Sequence, residues 1–223
     1  MMKKLVLYSN DQVIDGNYTL DMELLKLIGK SAAKIAYIPS ESDPQRKYYL
    51  EKKNYYAQYG INDVLYFDLE QEFDAMKVAD LLTRDAIHLS GGNTGKFLNS
   101  LRKRGFIEVL RYYVKMGGVL TGVSAGSILM SEDIKICSVH PYEYELDEVS
   151  DFASLGLTDF DFYPHFDYSE FVINSIREYS RCNSHRIIYA CPDGSGIVIN
   201  NDAVEFVGHM LKFQCGASCE INC

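Results

Sequence analysis

The chain has 223 residues, 47% of them hydrophobic, and a formal net charge of −9. That length and apolar share suit one soluble domain with a well-filled core. An acidic chain without basic runs is a poor binder of nucleic acid or anionic membranes. The first apolar run, Leu5–Tyr8, is shorter than the roughly 7–15 residues of a secretory signal core, and no run approaches the ~20 residues of a membrane span. The expectation is a cytoplasmic protein with no nucleic-acid and no membrane partner.

In chain order, Lys4–Ser9 is nearly all apolar, which predicts a strand buried on both faces. Tyr18–Gly29 carries Leu20, Leu24, Leu27 and Ile28 at helical spacing and ends at Gly29. Lys34–Ser40 predicts a second strand. A long helix is expected from Asp43-Pro44 towards Gly60, with Pro44 in its first turn. Asp63–Phe67 reads as a strand, Glu70–Thr83 as a helix, and Asp85–Ser90 as a strand that ends in Gly91-Gly92-Asn93-Thr94. A helical stretch broken near Gly105 reaches Lys115, and the strand Gly117–Thr121 leads to Ser124. Beyond Ser131 the pattern is less regular. Ile134–Val139 reads as a strand, residues 141–155 as an acidic loop, and Phe160–Tyr163 as a short strand running into Pro164-His165-Phe166. Ser169–Ser180 reads as a helix, and Arg186–Ala190, Gly196–Ile199 and Ala203–Val207 as closing strands.

This alternation with short links predicts an α/β fold in a single domain, residues 1–223: a mostly parallel sheet with helices on both faces, in three layers. In such sheets the ligand crevice lies at the carboxyl ends of the strands. Ser9-Asn10, Pro39-Ser40, Ser90 to Thr94 and Ser124 all fall there.

Gly122-x-Ser124-x-Gly126, between an apolar run and helix formers, is the pattern of a serine held on a sharp strand-to-helix turn. Residues two before and two after such a serine must be tiny, because chain and helix pass close together. A Gly-rich packing turn is the plainer reading of the same five residues. A serine nucleophile needs a base, usually histidine, and a group that orients the base. Of the five histidines, His88 lies inside a strand, His140 in the acidic loop, His185 in a turn and His209 after a late strand. His165 follows a strand end and a proline, a rigid mount at the sheet's edge, and is the candidate base. Asp193 sits in a Pro-Asp-Gly turn, where a structural aspartate is the usual explanation. Gly91 and Gly92 let the backbone approach a ligand and aim N–H groups at it. One of them would supply half of an oxyanion hole and the N–H of Ala125 the other half. A tight turn without a ligand is the other reading.

Neither a P-loop nor a dinucleotide fingerprint is present, since Gly95-Lys96 is followed by Phe97. The tail Cys215-x3-Cys219-x3-Cys223 lacks the usual paired zinc spacing. The expectation is free thiols, no metal and no cofactor.

Leu89-Ser-Gly-Gly-Asn-Thr94, Gly122-Val-Ser-Ala-Gly126, Tyr163-Pro-His-Phe166 and Cys191-Pro-Asp-Gly-Ser195 together resemble the peptidase E family, which includes aspartyl dipeptidases and the related cyanophycinases. The resemblance implies a flavodoxin-like sheet related to class I glutamine amidotransferases and a serine peptidase acting on short peptides. It implies Ser124 as nucleophile, His165 as base and Asp193 as third member, where the family usually has Glu. It maps the oxyanion hole onto Gly92 and Ala125 and sets Gly91, Asn93 and Thr94 beside the substrate. The chain departs from the family after His165. Aspartyl dipeptidases carry an arginine shortly after that histidine, whereas here Asp167 and Glu170 come first and no basic residue appears before Arg177. A peptide with a neutral or basic N-terminal residue fits these side chains at least as well. Two rivals remain: an α/β-hydrolase esterase using Ser124, Asp193 and His209 in that chain order, and an inactive binding protein of the same fold. Assembly is left open, a homodimer included.

Overall fold

The computed structural model describes residues 3–10, 15–139, 141 and 146–221. His140 and Cys223, both weighed above, lie outside the described residues. Among the described residues the main sheet has seven strands in the order β3-β2-β4-β5-β1-β8-β9. These are β1 (Lys4–Tyr8), β2 (Lys34–Ile38), β3 (Asp63–Tyr66), β4 (Ala86–Leu89), β5 (Val119–Val123), β8 (Gly196–Asn200) and β9 (Ala203–Val207). The first five run parallel, and β8 and β9 extend the sheet antiparallel beyond β1. A second sheet, β11-β10-β7-β6, holds β6 (Asp161–Tyr163), β7 (Ile188–Ala190), β10 (Met210–Gln214) and β11 (Ala217–Ile221).

Strand periodicity divides the core between the two faces of the main sheet. Leu5, Leu7, Ala36 and Ile38 join one apolar cluster, with Phe97 and Leu101 of α4 (Thr94–Lys103), Phe106 and Leu110 of α5 (Phe106–Lys115), and the second sheet. Val6, Tyr8, Ile35 and Tyr37 join the other, with Leu20, Leu24 and Leu27 of α1 (Asp15–Ile28) and Tyr56 of α2 (Lys47–Ala57). Helices therefore cover both faces, as expected. Gly105, at φ 69°, breaks the run between α4 and α5 where the sequence placed the break. No helix among the described residues is long and apolar enough to cross a membrane.

Several elements differ from expectation. The helix after Pro44 begins only at Lys47. The Asp43 carboxylate accepts the N–H groups of Lys47 (3.0 Å) and Tyr49 (2.9 Å), so Pro44 lies in the turn that this cap creates. Between Glu70 and Thr83 only a 3-10 turn (Ala75–Lys77) and the short α3 (Val78–Leu81) form. There Asp68 and Asp74 take the N–H groups of Glu70 (2.7 Å) and Met76 (2.9 Å), which competes with helix formation. Ile134–Val139 is not a strand; Lys135–Ser138 is a 3-10 turn, with Asp133 accepting the Lys135 N–H at 2.9 Å. The strand over Arg186–Ala190 pairs in the second sheet, next to β6. The hairpin β10–β11 was not expected; Cys215 and Gly216 turn it at φ 51° and 78°. Arg186, almost buried, fastens that sheet to the Asp133 turn through Asp161 and Asp133.

Candidate active site

Ser124 stands between β5 and α6 (Ala125–Ile128) at φ 49°, ψ −109°, a strained conformation for a residue with a side chain. Its N–H donates to Tyr8 O at 3.0 Å, which ties the corner to the end of β1. The flanking glycines are sterically required. A Cβ on Gly122 would lie 2.4 Å from the Gly126 carbonyl, and one on Gly126 would lie 2.3 Å from Leu89 O. The packing demand read from the sequence is thus a real contact between the corner and β4.

His165 follows β6 and Pro164 and sits at φ 53°. Its Nε2 is 2.9 Å from Ser124 Oγ and its Nδ1 2.7 Å from Asp193 Oδ1, so the imidazole bridges the serine and the carboxylate. All three come from different carboxyl-end loops. The Asp193 turn is closed by Ser195 N–H on Pro192 O at 3.1 Å, with Gly194 at φ 84°. It is fastened to the His165 loop through Cys191, whose N–H donates to Tyr163 O (2.8 Å) and whose carbonyl accepts the Phe166 N–H (3.1 Å). Cys191 is fully enclosed and burial pushes its thiol up, so it stays protonated beside the site. Ser9, one residue past β1, accepts the His165 backbone N–H at 2.8 Å. Its hydroxyl lies 2.8 Å from Cys191 O and 3.3 Å from Asp193 Oδ1. The sequence offered for Ser9 only a place at a strand's carboxyl end.

The family model of peptidase family S51 matches residues 5–207. The chain belongs to peptidase family S51. It is a serine peptidase of the peptidase E type. Peptidase E of Haemophilus influenzae is 25% identical over 225 residues, covering 95% of this chain and 99% of that protein. An uncharacterized peptidase, YgaJ, of Bacillus subtilis is 25% identical over 191 residues, covering 83% of this chain and 77% of YgaJ. The crystal structure of a peptidase from an acI-B1 Actinobacterium superposes with a TM-score of 0.73 at 13% identity, covering 100% of this chain and 95% of that one. A candidate peptidase E from Listeria monocytogenes EGD-e gives 0.72 at 22% identity, covering 92% and 98%. The fold is the α/β arrangement of class I glutamine amidotransferases.

In this S51 peptidase the Gly91-Gly92 segment passes directly by the serine. A Cβ on Gly91 would be 3.7 Å from Ser124 Cβ. Gly92 has φ 132°, and a Cβ there would fall 2.1 Å from Ser40 Oγ. From these glycines a cavity of about 950 Å³ opens over the ends of β2 and β4, lined by Ser40, Glu41, Tyr48, Lys52 and Tyr55. Lys52 is nearly buried, with its ammonium 4.2 Å from the centre of the Tyr55 ring, and Glu41 pairs with Lys96 at 2.7 Å. Of these cavity residues the sequence pointed only to Ser40, as a strand-end residue; Glu41, Tyr48, Lys52 and Tyr55 did not stand out. Of the other residues expected beside a substrate, Asn93 caps α4 by accepting the Lys96 N–H at 2.9 Å, and Thr94 is buried under that cap. His88 is a packed residue, stacked on Tyr37 with its Nδ1 2.8 Å from Tyr56 Oη. His185 is exposed after α7 (Glu170–Cys182), and His209 lies between β9 and β10. Among the described residues no three His, Cys, Asp or Glu side chains are grouped to hold a metal ion.

Proposed function

We propose that the chain is one catalytic domain that cleaves short peptides, dipeptides above all, through a Ser124–His165–Asp193 triad and an acyl-enzyme. The observation that carries this is the continuous hydrogen-bond line from Ser124 Oγ through His165 to Asp193 Oδ1, at 2.9 and 2.7 Å. Those are the distances at which a base can take a serine's proton and a carboxylate can orient the base. His165 Nε2 accepts the proton as Oγ attacks the peptide carbonyl. The oxyanion is received by the N–H groups of Gly92 and Ala125, each worth roughly 3–4 kcal/mol of barrier. His165 then protonates the leaving amine, and water repeats the cycle on the ester. Asp193 holds the ring in register and stabilises the imidazolium.

The side chains after His165 bear on specificity. Asp167 accepts the Ser169 N–H at 2.9 Å, and the Ser169 hydrogen bonds hold its carboxyl below the usual range, so it is negative at neutral pH. Arg177, the first cation after His165, bonds to Ser218 Oγ at 3.2 Å. The negative Asp167, two residues past the base, disfavours an acidic substrate residue, and a neutral or basic N-terminal residue fits at least as well. The hydrogen bond between His165 and Ser124 supports this reading over the esterase one, which would use His209.

The test is a dipeptide panel read by amine release. The wild type is expected to cleave dipeptides with neutral or basic first residues faster than Asp-X. Ser124→Ala should abolish turnover at an unchanged Tm. Turnover surviving in Ser124→Ala would remove the triad, and a strict Asp-X preference would remove the specificity reading.

A further inference from the structure

The end of β1 meets every part of the proposed triad. Tyr8 O accepts the Ser124 N–H (3.0 Å) and the Ser127 hydroxyl (2.9 Å), which fixes the serine corner. The next residue, Ser9, is fully buried and anchored by its own N–H on Ser195 O at 3.1 Å. Its hydroxyl occupies the junction of the other two loops. It accepts the His165 N–H and has one proton to give, with Cys191 O at 2.8 Å and Asp193 Oδ1 at 3.3 Å as the acceptors. Asp193 Oδ1 is the same oxygen that receives His165 Nδ1. Two adjacent residues at the end of one central strand, Tyr8 and Ser9, therefore touch the serine corner, the histidine and the aspartate.

We infer that Ser9 is a positioning residue of this peptidase: its hydroxyl clamps the His165 backbone to the Asp193 turn and so fixes the ring between carboxylate and serine. The inference rests on the triad reading above. Its physical basis is that His165 occupies a left-handed conformation, φ 53°, that a non-glycine residue holds only when its surroundings impose it. Removing the Ser9 hydroxyl leaves the His165 N–H, in a part-buried place, without that acceptor. The Cys191 carbonyl keeps the Phe166 N–H, so the two loops stay joined while the histidine loses its fixed height above Asp193. A displacement of about 1 Å in such a constellation costs on the order of 100-fold in rate.

The experiment is inactivation by a fluorophosphonate, followed over concentration to separate kinact from KI, with Tm measured on each variant. Ser9→Ala is expected to lower kinact about 10- to 100-fold with KI unchanged and the protein folded. On an Asp193→Asn background the same change should cost less than about threefold, because residues acting through one network are not additive. Ser9→Thr, which keeps the hydroxyl, should recover part of kinact. Three results overturn the inference: Ser9→Ala within about threefold of wild type, an equal loss on both backgrounds, or a fall in Tm that accounts for the loss. If instead the wild type is not modified at Ser124, or His165→Ala reacts as fast as wild type, the triad itself fails and the role of Ser9 with it.

Discussion

Asp193 is the residue at which this chain departs from the glutamate usual in the family it resembles, and the geometry shows how a shorter acid reaches the His165 ring. The Pro192–Ser195 turn is drawn against the His165 loop by Cys191 and Ser9, which brings Oδ1 to 2.7 Å from the ring. Asp193→Asn keeps the shape and reverses the hydrogen-bond preference of the ring, so kcat should fall about 10⁴-fold with little change in Tm. A fall of less than tenfold in the same assay would reduce Asp193 to a turn residue. Position alone left that question open in the sequence, because a Pro-Asp-Gly turn needs an aspartate for its own sake. His165 was more legible, being the histidine mounted directly after a strand end and a proline. Ser9 was less so: its place at a strand's carboxyl end was readable, but its contacts depend on the loops that fold over it.

The serine corner was readable as an element because its requirement is steric and local. Gly122 and Gly126 are small because each abuts backbone, so Gly126→Ala should cost about 1–3 kcal/mol. That corresponds to a Tm lower by roughly 2–12 °C for a domain of this size; an unchanged Tm would mean that the corner can shift away from β4. Buried strands were legible for the same reason, as short apolar runs ended by glycine, serine or proline. Elements governed by side-chain caps were not. Asp43, Asp68, Asp74 and Asp133 each capture backbone N–H groups, and each moved or shortened an element that periodicity alone extended. The β10–β11 hairpin escaped notice because its strands are half exposed and carry a weak apolar pattern.

At the scale of the whole molecule, the two clusters that cover the main sheet differ in their polar content. Beneath α1 and α2, Asp21 accepts hydrogen bonds from Tyr8 (3.0 Å), Tyr59 (2.6 Å) and Tyr55. Burial nonetheless outweighs those bonds and raises its carboxyl above the ordinary aspartate value. A carboxyl whose pKa is higher folded than unfolded makes the folded state the better proton binder, so this contribution to stability falls as pH rises through that interval. Relative to Asp21→Asn, the wild type should lose denaturant resistance as pH rises from about 4 to 7; a relative gain would contradict the assignment. The layered sheet with its carboxyl-end crevice was legible from strand–helix alternation. What alternation could not supply was how the second sheet delivers His165 over the crevice, since that depends on the buried Arg186–Asp161 pairing across the chain. The most direct measurement is to label the purified protein with a fluorophosphonate and locate the adduct by peptide mass mapping. Modification at Ser124, lost in His165→Ala and kept in His209→Ala, is the predicted result; no adduct at Ser124, or one that survives His165→Ala, would contradict the Ser124–His165–Asp193 mechanism.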